Sequence, residues 1–439
     1  MAKMTATENS NVAEETPETK EDGVEQSNAV EEEQKLPYEV EDGRKTCTEN
    51  QSKETDINDE DTDENKSILS KLFVHSQWLA VQSPYFKALF YSGMKETYSN
   101  EVVMKIYEDD LQAHLTLIEA MYKLDVLIDK DYHLVVQVLV LANKYDVRHV
   151  IKKCKYVLLS TAPSLDMCEY ILQEIKHLSH MADMYDMLEK FLVKEFTPID
   201  KTWTMEKFTG LSKAALRLLL ESDSLGTQSE NTIFVALMEW VRFNIPSQAR
   251  NKCDLLDVVR FEFIEVDFLY DFVQEHLVAT KMLGFTKHLL KGLAYHGFSQ
   301  IRREQFKSKP KKRPFVADAD PTFSWVIDDK LEEKLTKFPG VPVYSSIFWN
   351  QGYKMKLQLG YMEDLSKCNF YLAIFGLKGE GCLYASYRAK SSLFVSKTIQ
   401  LKKTLYTASN RSWGYRSLEC NKAQIRGKGY TIDIWVQIN

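Results

Sequence analysis

The hydrophobic period of this chain changes once, at Phe315. Before it, from Leu72 onward, apolar residues recur at three- and four-residue spacing; beyond it they alternate. A period near 3.6 lines up one stripe of a helix and a period of 2 lines up one face of a strand, so no single segment satisfies both. The chain must therefore build a largely helical part and a separate sheet part. Its 439 residues suffice for two to four domains at roughly 100–200 residues each. With 44% hydrophobic and 27% charged residues, close to the globular average, a mostly disordered chain is excluded.

Charge is segregated. Residues 1–66 carry 21 Asp/Glu against 7 Lys/Arg, whereas the whole chain has a net charge of only −7, so the remainder is net basic. Residues 1–35 lack aromatics and are rich in Glu, Thr, Asn and Ser; such a segment buries too little apolar area to offset its ordering entropy and is expected to be disordered. Leu36–Gly43 reads as a short strand ending in an Asp-Gly turn, and 45–71 returns to acidic low complexity. The N-terminus has no apolar core of a secretory signal, and the longest apolar run, Leu134–Ala142, is far short of the roughly 20 residues a membrane helix needs. Seven dispersed cysteines read as reduced thiols, so the chain is expected in the cytoplasm or the nucleus.

Helices are expected over Ser83–Ser92, Asp110–Tyr122, His133–Ser160 and repeatedly through 161–303, including Met167–Ile175, Met184–Phe196, Ala214–Leu220, Thr232–Phe243 and Val266–His276. Ser229 before an apolar run marks a helix start. Glu101–Tyr107 reads as a strand, and 304–314 as a basic, proline-containing linker. After Phe315, strands are expected at Tyr353–Leu359, Asn369–Phe375, Leu383–Arg388, Ser396–Leu401 and Tyr430–Ile438, the signal of an all-β sandwich. No tandem repeat at propeller spacing is present.

Leu72-Phe-Val-His-Ser-Gln-Trp-Leu-Ala-Val-Gln-Ser-Pro-Tyr-Phe86, together with Leu141-Ala-Asn-Lys-Tyr-Asp-Val147 and Cys154, resembles the BTB (POZ) domain. Residues 161–303 resemble the BACK domain through Ser229-Glu230, Trp240-Val241, Leu255–Phe261 and Leu293-Ala-Tyr-His296. Ser412-Trp-Gly-Tyr-Arg-Ser-Leu418 and the closing strand Thr431–Val436 resemble a MATH (TRAF-like) sandwich. The resemblance implies a multidomain α+β chain. An α/β BTB domain would span 36–160, its first strand at Tyr38–Gly43 and an acidic insertion at 45–71. An all-α BACK domain would follow at 161–303 and an all-β MATH/TRAF-like sandwich at 315–439. The helix that often swaps between BTB subunits would fall in the acidic N-terminus, which leaves homodimerisation open.

Signatures of bond-making chemistry are missing from the sequence. The runs Gly376–Gly381 and Gly427–Gly429 sit between expected strands and read as hairpin turns rather than phosphate loops. No two cysteines lie at zinc-finger spacing. His177 and His180 could share a helical face, or be two surface histidines; His75 reads as a structural hydrogen-bonding group. Lys309-Pro-Lys-Lys-Arg313 reads either as a nuclear localisation signal or as a solvated linker. No catalytic, cofactor or metal residues are assigned.

The resemblance implies a non-enzymatic adaptor that recruits protein substrates to a cullin-RING ubiquitin ligase; a nuclear transcriptional or scaffold regulator is the alternative. The partners implied are a cullin scaffold and a protein substrate of unknown identity, with no membrane and no nucleic acid. Met94 and Glu96, in the place of the apolar–x–Glu motif of cullin-binding BTB domains, are the candidate cullin contacts. Trp413, Gly414 and Tyr415 are the candidate substrate contacts, where the aromatics line a cleft and Gly414 admits a peptide backbone; the same period-two geometry also allows Trp413 and Tyr415 to be sandwich core.

Overall fold

A three-stranded sheet opens the fold, and its middle strand comes from the extreme N-terminus. In the computed structural model, which describes residues 2–8, 68–93, 98, 101–305, 311–317, 319–421, 425 and 429–438, β1 (Ala2–Glu8) lies between β2 (Ile68–Val74) and β3 (Glu101–Ile106). It pairs antiparallel with β2 (Met4 opposite Leu72) and parallel with β3 (Met4 opposite Val102). This corrects two expectations. The disordered 1–35 segment contains a strand at its start, because Ala2-Lys-Met-Thr-Ala-Thr7 alternates apolar and polar residues and finds a ladder partner on each side. The acidic insertion expected over 45–71 ends before Ile68, where β2 begins. Tyr38–Gly43, expected as the first strand, lies outside the described residues.

The chain divides into two compact units, 1–154 and 155–439. In the first, α1 (Ser76–Gln82), α2 (Pro84–Tyr91), α3 (Leu111–Tyr122) and α4 (Tyr132–Lys144) bury Leu79, Phe86, Leu117, Val135 and Leu139. Ser83 caps α2 by accepting a hydrogen bond from Phe86 N, and Pro84 opens the helix where its missing N–H costs nothing. The helical stretch expected over His133–Ser160 is a pair of helices: Asp146 takes a positive φ of 48°, and α5 (Arg148–Ser160) starts afresh. His114 is buried, with Nδ1 2.9 Å from Asp110 O and Nε2 3.1 Å from Tyr145 Oη.

The second unit contains α6 (Leu165–Ile175), α7 (Ala182–Phe196), α8 (Lys213–Glu221), α9 (Glu230–Asn244) and α10 (Phe285–Gly297). Serines 164, 212 and 229 cap α6, α8 and α9. The helix expected over Val266–His276 is instead a short helix, Val266–Phe268, followed by a π-helical turn, Leu269–Val273. His177 and His180 lie beyond the end of α6, exposed, and His180 has a positive φ, so they do not form a helical pair.

The same unit ends in two sheets. One has the order β10 (Thr398–Thr407), β9 (Cys382–Ser391), β12 (Tyr430–Ile438), β4 (Phe323–Ile327). The other has the order β11 (Ser412–Glu419), β8 (Lys367–Phe375), β7 (Tyr353–Tyr361), β5 (Val343–Tyr344), with β6 (Phe348–Asn350) also on β7. They pack face to face: the Phe370 ring meets Tyr387 and Phe394, and Tyr361 Oη lies 2.6 Å from Tyr430 Oη. A helix not expected from the sequence, α11 (Asp329–Lys337), is capped by Asp328 and buries Leu335. Among the described residues no helix is long and apolar enough to cross a membrane, and no cluster of His, Cys, Asp and Glu could hold a metal ion.

Two consequences are measurable. Thr5→Pro removes a donor from the central strand of the first sheet, a position where proline is excluded; a fall in melting temperature of many degrees, absent in Thr5→Val, is expected by circular dichroism. Burial lowers the pKa of both His114 and His276 below the ordinary 6.5. The folded state therefore binds fewer protons than the unfolded one below that pH, and stability rises with pH through this window. The melting temperature should be maximal above pH 6.5 and fall as the pH is lowered below it, and His114→Gln or His276→Gln should flatten that fall.

Candidate protein-binding surfaces

The strand β11 is the free edge of its sheet, and it carries Trp413, Gly414 and Tyr415. Register decides which way the two aromatics point. Trp413 stands opposite Leu372 and Tyr415 opposite Phe370 on β8, and both partners are fully buried, so both aromatics are on the inner face. Yet neither is core: Trp413 is 39% exposed and Tyr415 is half-buried, because the inner face runs out at the edge strand. Tyr415 Oη donates to Gln400 O on β10 at 2.5 Å, closing the sandwich mouth. Gly414 has a structural role of its own, since a Cβ there would lie 2.0 Å from Phe370 O; glycine is needed for β11 to approach β8. Next to this trio the strand bulges at Arg416 and Ser417, Ser417 with a φ of 57°. Arg416 Nε donates to Tyr371 Oη and Ser417 N to Asn369 Oδ1, which fixes the edge on the outer face.

Met94 and Glu96 lie outside the described residues. The motif before them is ordered by local contacts. His75 N donates to Tyr122 Oη at 2.8 Å, Trp78 stacks on Tyr122, and Trp78 Nε1 and Gln82 Nε2 both donate to Met121 O. His75 is thus part of a hydrogen-bonded corner.

The segment expected to be a solvated basic linker is docked where it is described. Arg313 is buried, and each nitrogen of its guanidinium has a partner. Nε meets Glu230 Oε2 at 3.0 Å, and the two Nη groups donate to the carbonyls of Leu220, Ser222 and Val258 at 2.6–3.0 Å. Burial lowers the affinity of this guanidinium for its proton, and the neighbouring Glu230 carboxylate opposes that. Arg260 extends the network: it donates to Lys311 O and pairs with Asp223, which also takes Lys311 Nζ at 2.8 Å. Thr227 N then bonds Pro314 O. Carbonyl ends of α8 and of the turn at Val258 converge here, and only a fork of donors could satisfy them all.

Beyond the linker the sandwich is seated on the helices. Asn231 Nδ2 donates to Gln351 O and to Glu265 Oε2, and Tyr353 Oη reaches Glu265 Oε2 at 3.4 Å. Burial raises the pKa of Glu265 and of Tyr353. The Tyr353 ring stands edge-on to Phe268 and Phe272, and Trp203 edge-on to Trp349. Gly352, at a φ of 83°, sits where a Cβ would be 2.7 Å from Asn231 Cβ. Interdigitation this close joins helices and sandwich into one body.

Residues 66–162 match the BTB/POZ domain model and residues 167–274 the BACK model, described as "BTB And C-terminal Kelch". The chain carries a BTB/POZ domain followed by a BACK domain. It is 31% identical over 236 residues to Kelch-like protein 28 of Mus musculus, covering 53% of this chain and 39% of that protein. It is 29% identical over 193 residues to BTB/POZ domain-containing protein At4g01160 of Arabidopsis thaliana, covering 43% and 36%. A longer match, 24% identical over 383 residues, joins it to BTB/POZ domain-containing protein At2g46260 of the same plant, covering 80% of this chain and 67% of that protein. The chain thus spans about two fifths of the length of the first two relatives. After the BACK domain it has two stacked sheets, whereas a propeller sets four-stranded blades around a channel.

Arg313→Ala leaves Glu230 buried without its cation and should destabilise the second unit by about 3–5 kcal/mol. Arg313→Met with Glu230→Gln should recover part of that loss. Urea unfolding followed by circular dichroism measures both.

Proposed function

We propose that this chain is a non-enzymatic adaptor of a cullin-RING ubiquitin ligase, acting in the cytoplasm. The BTB domain engages the cullin scaffold, with Met94 filling an apolar pocket and Glu96 accepting hydrogen bonds. The terminal sandwich, read as MATH/TRAF-like, captures the substrate at the β11 edge. Such a protein makes and breaks no bonds; it raises the effective concentration of a substrate near an enzyme recruited elsewhere. One observation carries the reading: a BTB–BACK pair is followed by a sandwich locked to the BACK helices, with Trp413 exposed on a free strand edge. An edge strand offers main-chain hydrogen bonds to an extended peptide, and a rigid aromatic beside it supplies contact area at small entropic cost. A nuclear alternative would have to use the basic run 309–313 without Arg313, which is paired with Glu230.

Affinity purification from cells tests both contacts. Met94→Ala with Glu96→Ala should remove the cullin and its RING partner while sparing the substrates. Trp413→Ala should do the reverse, losing substrates with a melting temperature within a few degrees of the parent. Truncating a buried interface anchor costs about 2 kcal/mol or more, so both losses should be plain. Cullin recovery that ignores the first pair, or its absence from the parent, contradicts the adaptor reading. Loss of fold in Trp413→Ala contradicts the β11 site.

A further inference from the structure

We propose that the outer face of the four-stranded sheet binds an acidic peptide segment of a partner protein, with Arg388 as its carboxylate anchor. This surface belongs to the other sheet from β11, and its test needs no cullin.

Charge is the first observation. The four strands of this sheet carry four Lys/Arg, Arg388, Lys390, Lys402 and Lys403, and one acid, Asp433, which stands opposite Lys390 and accepts from Ser324 Oγ at 2.6 Å. Alternation puts Arg388 and Lys390 on the outward side of β9, where the side chains between them are buried. In register, Gln400 of β10, Arg388 of β9 and Trp435 of β12 form a row across three strands.

The row is built as a receptor for an anion. The Arg388 guanidinium lies 4.4 Å from the centroid of the Trp435 ring, and the ring is itself fixed because Trp435 Nε1 donates to Ala319 O at 3.1 Å. A guanidinium stacked on a held indole keeps its donor fork in one orientation, so less entropy is lost when a carboxylate binds it end-on. Arg388 makes no hydrogen bond or ion pair among the described residues. It opens into a cleft of about 460 Å³ that also presents the amides of Gln351 and Gln400 and the exposed ring of Phe315; of the carboxylates in its lining, Asp320 is paired with Lys201 and Asp200 accepts from Gln228 N and Thr232 Oγ1. Amide side chains match a peptide backbone, and the guanidinium matches a carboxylate.

Two further features select peptide over nucleic acid, and the face over the edge. Single-stranded nucleic acids need bare aromatic faces for base stacking. On the sheet face itself the rings are covered by cations, Trp435 by Arg388 and Tyr384 by Lys403 at 4.8 Å, which leaves Phe315 at the cleft as a single bare ring rather than a row of them. The β10 edge is interrupted by a register shift between Leu401 and Thr404, the place of Lys402 and Lys403. Two adjacent lysines on that edge disfavour strand addition there, so the partner is held through side chains of the face.

Fluorescence anisotropy with the purified full chain tests this. The probe is a short fluorescein-labelled peptide of alternating Glu and Gly; a Lys–Gly peptide and an oligothymidylate of equal length are the comparators. The Glu–Gly peptide should bind saturably and more weakly as salt rises, and the Lys–Gly peptide should not bind. Arg388→Gln should weaken binding roughly tenfold or more, as expected of an Arg anchor in a cleft, with Arg388→Lys intermediate and an unchanged melting temperature in both. Lys402→Gln with Lys403→Gln should cause a smaller loss that vanishes at high salt. No binding of the Glu–Gly peptide, or binding indifferent to Arg388→Gln, overturns the proposal. Tighter binding of the oligothymidylate, lost with the same substitution, replaces it with a nucleic-acid site.

Discussion

The buried pair between Arg313 and Glu230 fixes where the rest of the second unit can go. An arginine taken out of water must have its charge balanced and its donors used, and here one carboxylate and three carbonyls do both. Those acceptors come from the end of α8, the start of α9 and the turn at Val258. The arginine therefore ties three helical elements together while holding the first residues of the connection to the sandwich. A hydrophobic residue of similar volume would leave several buried carbonyls unsatisfied, at about 1–3 kcal/mol each. That cost explains why a charge is tolerated at this depth.

With the connection pinned, the strands start from a defined place, and the contacts beyond it follow. Asn231, one residue after Glu230 on the same helix, reaches the turn before β7, and Glu265 is bonded by both Asn231 and Tyr353. The aromatic cluster of Phe268, Phe272 and Tyr353 fills the space between. For a tethering protein this matters. Effective concentration depends on the distribution of positions a captured partner can occupy, and a docked capture domain narrows that distribution relative to one on a flexible linker.

Much of this architecture was legible in the amino-acid sequence, for identifiable reasons. Helical and alternating periods are local, so α2, α3 and α9 and the strands β7–β9 were visible in pattern alone. The strand β1 was not, because its alternation is brief, sits in acidic surroundings and acquires partners only from residues 68–74 and 101–106. Arg313 was hidden in a run of basic residues that reads as solvated; the acceptors that bury it are brought together by helices far away in sequence. For Trp413 and Tyr415, period and exposure come from different levels of the structure. Their inward face follows from period two, but whether a strand is central or at the edge is a property of the sheet, and the edge is what exposes Trp413.

BACK helices and sandwich behave as one body, and native-state hydrogen exchange read by mass spectrometry tests this most directly. Under increasing denaturant, amides of β7 and of the 266–273 segment that supports it should lose protection together, in a single opening with one free energy. A β7 that keeps full protection after the 266–273 segment has opened would contradict the account and make the sandwich an independent domain on a tether.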